Sequence, residues 1–367
     1  MKAADFEVGT LCFKESYLAA TRYCDRHFFW PPTLRGGTLA RRFTEVVGDW
    51  HPDFLVAGDE LTVAFLARLF EQLDKRSESA KLLKFSFGNP ASLLAAASKW
   101  HTLETAHQLG LRVPDCKRVR SENEIRQFAG KTGWPLVMKQ SFSWGGNGSM
   151  VCLNASKAAA ILGKWRKHFT LKNRFHRWRK SIRGEVIGAS WLAADKSITA
   201  NQFITGRTAM LLAAAFEGRM PAAVTAFKEQ CYPNKLGPSS VVRFIHNDEM
   251  RRTAEKLIGT WGVTGFIGFD FIVDSAGAAW LIECNPRPTP ISHLTGRVGE
   301  DVCRALFCCI AGQPLPPMTQ TDELTVAHFP SESLRDPNSP HLIEAFHDIP
   351  WDDPDLLERL SAVRAEK

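Results

Sequence analysis

The sequence predicts a mixed chain, α/β and α+β: a small parallel α/β domain comes first, then a larger body built around a charged β-hairpin. Three observations carry that prediction. His51–Gly58, HPDFLVAG, reads as a buried strand and runs directly into a helix capped by Asp59. A strand ending in Lys139 leads into a glycine-rich loop, QSFSWGGNGSM. Gly265–Pro290, GFIGFDFIVDSAGAAWLIECNPRPTP, reads as two strands with Ser275, Ala276 and Gly277 as the breakers between them.

The hairpin carries the strongest chemical signal. A two-residue loop at Ala276-Gly277 sets Asp270 directly opposite Glu283. Facing carboxylates repel, and these lie among Phe, Ile, Val, Leu and Trp, where unpaired charge is costly. Something positive must lie between them. Strand side chains repeat with period two, so Asn285 and Arg287 share the face of Glu283 while the chain stays extended. Two carboxylates, an amide oxygen and a guanidinium suit one or two magnesium ions carrying a nucleotide's phosphates, with the arginine on the transferred group. The plainer alternative is a surface hairpin with scattered charge.

A length of 367 residues allows two or three domains, and 44% hydrophobic with 23% charged residues fits a globular protein. The opening MKAADFEVGTLCF lacks the plan of a signal peptide, and TAMLLAAAF at Thr208–Phe216 is too short to span a membrane. The nine cysteines contain no CxxC pair, so free thiols in a reducing cytoplasm are expected. Of the formal net charge of +7, the segment Gly163–Arg183 supplies nine Lys or Arg with no acid, leaving −2 for the rest. Its interleaved Trp165, Phe169, Phe175 and Trp178 could suit nucleic acid. A solvated helix face or a cationic rim above an anionic substrate explains it equally well, so nucleic acid is not the expected partner.

In chain order, Phe6–Leu11 is a short strand, Leu39–Val47 a helix, and 59–73 a helix, giving an N-terminal domain over residues 1–90. No Gly-rich strand-to-helix turn precedes Phe6, so this domain is not expected to bind ATP. Asn89-Pro90 marks a break, and one helix follows over Ala91–Leu109 with Lys99 inside it. Ser121 and Glu124 are spaced as a capping box. Gly145, Gly146 and Gly148 lie in a mobile arch whose amides can approach phosphate oxygens, and Lys139 is a suitable point charge beside it. There is no GxxxxGK[ST] loop. Arg207 and Arg243 stand as isolated arginines in strand-like surroundings, Asp248–Gly259 reads as a helix, and SHLTGRVGEDVCRALFCCIAG as one helix ended by Gly312. The tail from Leu315 is Pro-rich and acidic and is expected to pack on the surface.

This order of parts is distinctive: a helix lysine, a strand lysine, a Gly-rich loop, a hairpin with Asp and Glu thirteen apart, then Asn-Pro-Arg. It resembles the ATP-grasp superfamily, and the ECNPRP run looks most like its carbamoyl-phosphate synthetase and biotin carboxylase branch. The resemblance implies a two-lobed ATP-grasp domain over 91–315, with the small lobe at about 115–185. An N-terminal domain lacking its first strand would precede it, and an extension over 316–367 would follow. It implies that Lys99 and Lys139 contact ATP phosphates and that Gly145, Gly146 and Gly148 form the lid. Asp270, Glu283 and Asn285 would hold magnesium, or manganese in its place, and Arg287 would face the γ-phosphate, with Arg287 and Lys139 as the catalytic cations. Taking Gly184 as the hinge glycine puts Lys180 where the family has the adenine-side acid, and Glu185 near the ribose. Gly268 stands where dipeptide ligases of the superfamily carry an arginine, which argues against a D-alanine-ligase-like substrate site. The implied activity is an ADP-forming ligase joining a small-molecule carboxylate to an amine or thiol. A Mg-ATP-binding scaffold is the alternative, no membrane is involved, and a homodimer is left open.

Overall fold

The computed structural model describes residues 1–32, 36–141, 148–168, 197–235, 237–317 and 324–362. Strands β1 (Gly9–Cys12) and β2 (Arg26–Phe29) pair in parallel and open the chain. Helices α1 (Gly36–Trp50), α2 (Glu60–Gln72) and α3 (Glu78–Phe87) follow, α2 capped as expected by Asp59, whose carboxylate accepts from Thr62 N at 2.7 Å. Residues 51–58 do not form the expected strand. The Leu55 amide bonds instead to Ser86 Oγ of α3 at 2.9 Å.

The predicted helix over 91–109 is two helices, α4 (Pro90–Ala96) and α5 (Lys99–Gln108). Ser98 leaves the helical path and caps α5, and Thr102 Oγ1 bonds back to the Ala96 carbonyl, so Lys99 is the first residue of a helix rather than a mid-helix residue. The small lobe is a four-stranded antiparallel sheet of β3 (Cys116–Arg118), β4 (Leu136–Gln140), β5 (Ser149–Cys152) and β6 (Ile198–Gln202), in the order β3-β6-β4-β5. Helices α6 (Glu122–Thr132) and α7 (Ala155–His168) cover it. Trp165 of α7 is buried there with Ile125, Phe128 and Leu136, so it is core and not a surface for stacking bases.

The large sheet runs β11-β10-β7-β8-β9-β12-β13. Its strands are β7 (Arg207–Phe216), β8 (Arg219–Cys231), β9 (Ser239–Ile245), β10 (Gly265–Val273), β11 (Ala279–Asn285), β12 (Thr325–His328) and β13 (Phe346–Asp348). All neighbouring pairs are antiparallel except the last. One face packs on α2 to α4 and on α8 (Asp248–Trp261) through Leu211, Phe269 and Phe271. The other packs on α9 (Val302–Ala311) and a 3-10 turn, Ser292–Val298, through Met210, Leu212 and Phe266. The expected single helix over 292–312 is thus broken at 299–301, where Asp301 caps α9. The C-terminal tail, expected on the surface, supplies β12 and β13 to this sheet.

Arg207 and Arg243 are not isolated. Both bond Glu229, at 2.7 and 2.9 Å, and both lie over the Phe227 ring.

Candidate active site

The hairpin confirms the facing acids by an unexpected route. Near the turn the ladder pairs Val273 with Ala279 and Phe271 with Leu281, one residue out of the frame a two-residue loop at Ala276-Gly277 requires. A bulge between Asp270 and Phe271 then leaves Ile282 as the extra residue, so that Asp270 does sit opposite Glu283. Leu281 and Cys284 stay in the core, while Ile282 and Glu283 both line the cleft. The bulge also frees the Ile282 carbonyl, which accepts a hydrogen bond from Lys139 Nζ at 3.0 Å.

The positive partners are lysines. Lys99 Nζ lies 3.3 Å from Glu283 Oε2, and Lys228 Nζ lies 2.7 Å from Asp270 Oδ1. Asn285 Nδ2 reaches Asp270 Oδ2 at 3.4 Å. Lys99 and Lys139 come from different elements, and backbone bonds bring them together: the Lys99 amide donates to the Ser141 carbonyl just past β4. Gly148 lies at the foot of the predicted lid, its carbonyl accepting from Gln140 N at 2.8 Å. Gly145, Gly146 and Glu185, together with Lys180 and Gly184, lie outside the described residues.

Charge and burial act against each other here. Burial alone would raise Glu283, but Lys99, then Lys139 and Lys228, hold it below the usual glutamate value. Burial, with Lys99 adding to it, pushes Lys139 below the ordinary lysine value despite Glu283. For Lys228 burial works the same way, yet the contact with Asp270 outweighs it and the lysine is raised. The signs define a pH window. Glu283's contribution is complete above its unfolded value of 4.5 and is lost as pH falls through its lower folded value. Lys228's is complete below 10.5 and is lost as pH rises through its higher folded value. Lys139, lowered, has the opposite sign and adds stability as pH rises toward 10.5, so chemical denaturation should show stability falling at the acid end and again above 10.5, with the acid limb shallower in Glu283→Gln.

Arg287 is not in the lysine–carboxylate cluster. Its Nη2 bonds Glu60 Oε1 of α2 at 2.5 Å and its Nη1 bonds the Pro288 carbonyl, so the N-terminal domain orients the NPRP loop. Arg287 Nε and Thr289 Oγ1 are buried with no partner among the described residues. The loop packs tightly on Gly268: a Cβ there would lie 2.6 Å from Thr289 Cγ2. Gly268→Ala should therefore shift Thr289 and cost about 1–2 kcal/mol, read as a lowered Tm, and it should raise KM for any substrate that this loop touches.

Two groups escaped the sequence reading. Lys228 was one; its signal is a lone lysine continuing the inward positions Ala222, Val224 and Ala226 of β8. The other is the inter-lobe linker. Gln202, Phe203 and Ile204 line the cleft and pass from β6 into β7, while Gly206 comes so close to β10 that a Cβ would meet the Val273 carbonyl at 2.3 Å. Gly206 is therefore a position of close backbone approach, with Gln202 four positions before it; Gly184, taken above as the hinge glycine, lies outside the described residues.

Among the described residues no group of three or more His, Cys, Asp or Glu side chains could hold a metal. Two carboxylates and an amide remain, a donor set that fits magnesium, which keeps waters and shares its shell with phosphates. No helix among the described residues is long and apolar enough to cross a membrane.

Residues 96–290 match the ATP-grasp domain family. The chain is 21% identical over 311 residues to the chloroplastic arginine-specific large chain of carbamoyl phosphate synthase from Oryza sativa subsp. japonica, covering 83% of this chain and 25% of that one. It is 31% identical over 130 residues to the carbamoyl phosphate synthase large chain of Rubrobacter xylanophilus, 34% of this chain and 12% of that one. The chain thus spans about a quarter or less of the length of these relatives. In fold it is similar to a biotin carboxylase–nucleotide complex from Campylobacter jejuni, with TM-score 0.65 and 14% identity over 88% of this chain and 70% of that one. It is also similar to an L-amino acid ligase from Bacillus licheniformis, with TM-score 0.61 and 13% identity over 88% and 74%. With its paired carboxylates, its two predicted lysines and its NPRP loop inside the matched span, the chain belongs to the ATP-grasp family.

Proposed function

We propose that this chain is an ATP-dependent ligase that activates a carboxylate as an acyl phosphate for attack by an amine or thiol, releasing ADP and phosphate. The observation that carries the reading is the convergence of Lys99, Lys139 and Lys228 on Asp270, Glu283 and Asn285 in one cleft between the two sheets. Three cations against two carboxylates leave a positive excess suited to polyphosphate. The biotin carboxylase relative binds a nucleotide, which supports ATP as the phosphoryl donor here.

In this reading Asp270, Glu283 and Asn285 hold magnesium, which would neutralise charge on the transferred phosphoryl group. Lys99 and Lys139 hold phosphate oxygens, and Gly145, Gly146 and Gly148 cover them. The aliphatic walls of Val137, Val151 and Ile272 exclude water. A carboxylate oxygen attacks the γ-phosphorus as its bond to the β-bridging oxygen breaks, and ADP leaves. The amine nitrogen or thiol sulfur then attacks the acyl carbon. The carbon–oxygen bond to phosphate breaks, and the nucleophile gives up a proton. Arg287 Nε and Thr289 Oγ1, the buried polar atoms without partners, would take oxygens of the acid or its phosphate. Catalysis by placement and charge requires no protein nucleophile.

A coupled ADP-release assay against pools of carboxylates and amines tests the reading; release that needs both an acid and magnesium is the expected result. One observation favours a second reading, a Mg-ATP-binding protein without turnover: Arg287 is already engaged by Glu60. Calorimetry showing magnesium-dependent ATP binding with no ADP from any pool would establish it.

A further inference from the structure

A second cavity, larger than the one at the carboxylates, lies beside the cleft. The cleft cavity is about 140 Å³, whereas one of about 770 Å³ opens on the other side of Pro114, which lines both. Its walls come from both lobes: α5, residues 113–117 with the start of β3, and α6. Its floor is apolar, formed by Leu103, Phe128 and Pro114, with Trp100 beside them. That volume and lining match a small-molecule site.

The rim fixes the charge of the occupant. Lys117 and Lys131 line it and have no ion-pair partner among the described residues. Two acids share the rim, Asp115 and Glu104, the latter 3.4 Å from His101, so that with Arg118 beside Trp100 three cations stand against two carboxylates. The Arg118 guanidinium lies 4.6 Å above the Trp100 ring, and the buried Trp100 Nε1 has no acceptor. Cys116, raised to about 12 by burial, offers no thiolate to repel an anion.

We propose that this cavity is an effector site for an amphiphilic anion, a flat apolar body carrying a carboxylate. Trp100 follows Lys99, the residue that grips Glu283, and the cavity is walled by both lobes at the point where the chain crosses between them. A ligand there contacts both lobes, so it binds differently to each inter-lobe angle and shifts nucleotide affinity; by linkage the nucleotide shifts the ligand's affinity by the same factor.

The test uses the full chain and 1-naphthylacetate, with 1-naphthylmethanol as the uncharged control, titrated by calorimetry with and without a saturating nonhydrolysable Mg-ATP analogue. Saturable binding of the acid that survives the analogue, and is at least fivefold tighter than that of the alcohol, is expected. The variant Lys117→Glu with Lys131→Glu changes only exposed side chains and should weaken the acid at least tenfold while leaving the alcohol unchanged. The acid's affinity should differ at least twofold between nucleotide-loaded and free protein. No binding at millimolar probe, equal binding of acid and alcohol, indifference to the charge reversal, or displacement by the analogue would each overturn the site. Binding with unchanged affinity in the two nucleotide states would overturn the effector role. The cavity stands apart from the ligase reading, so an ADP-release assay that fails leaves these outcomes legible.

Discussion

Glu283→Gln is expected to keep the fold and to lower ADP release on the order of a thousandfold, about 4 kcal/mol of transition-state stabilisation. The substitution preserves shape and leaves an oxygen for Lys99 to donate to, so the packing of β11 is unchanged. What it removes is a charge. Glu283 is the carboxylate that Lys99, Lys139 and Lys228 jointly hold ionised, and a neutral amide leaves three ammonium groups facing one carboxylate. The melt should stay cooperative but fall at neutral pH by the contribution that the ionised Glu283 makes, while the coupled assay should fall to near background. Turnover close to wild type in a variant with a cooperative melt would remove Glu283 from the reaction.

Lys228→Met should have the second largest effect, and it separates structure from chemistry. Without the ammonium, Asp270 and Glu283 face each other with a positive group against only one of them. Breaking a fully buried pair costs about 3–5 kcal/mol. The side chains here are 15% and 18% exposed, so solvent screens part of this and about 2 kcal/mol is expected. Magnesium should then restore more stability to the variant than it adds to the wild type, because a divalent cation can stand where the ammonium stood. The measurement is Tm with and without magnesium, nucleotide absent. Equal magnesium shifts in the two proteins would mean that the cation does not bind at Asp270.

Much of the site was legible because its information is local. The alternation FIGFDF and the spacing to ECN bring Asp270, Glu283 and Asn285 together, although the facing pair is reached through a bulge and Arg287 is drawn away by Glu60. Asp59 and Ser121 announced their helices in the same way, through a side chain bonding three residues on. What the sequence hid depends on tertiary partners. Lys228 becomes a site residue only because β8 lies two strands from β10. Residues 51–58 look like a strand by composition, but the Leu55 amide is taken by the Ser86 side chain of α3 and makes no ladder bond. The break at Ser98 was missed because a short apolar run of alanines reads as continuous helix, whereas the Ser98 and Thr102 side chains outbid the backbone at that one turn. The tail looked superficial because its Pro-rich start masks two short strands, β12, which finds its partner about eighty residues back in β9, and β13, which pairs with β12.

Ile282 separates two properties of the cleft that otherwise look like one. A regular ladder lacking that residue would still bring Asp270 and Glu283 face to face, since both flanking pairings survive its loss. It would, however, take away the carbonyl that Lys139 holds on the large sheet. The acids owe their meeting to strand pairing, and the grip between lobes to a single amino acid too many.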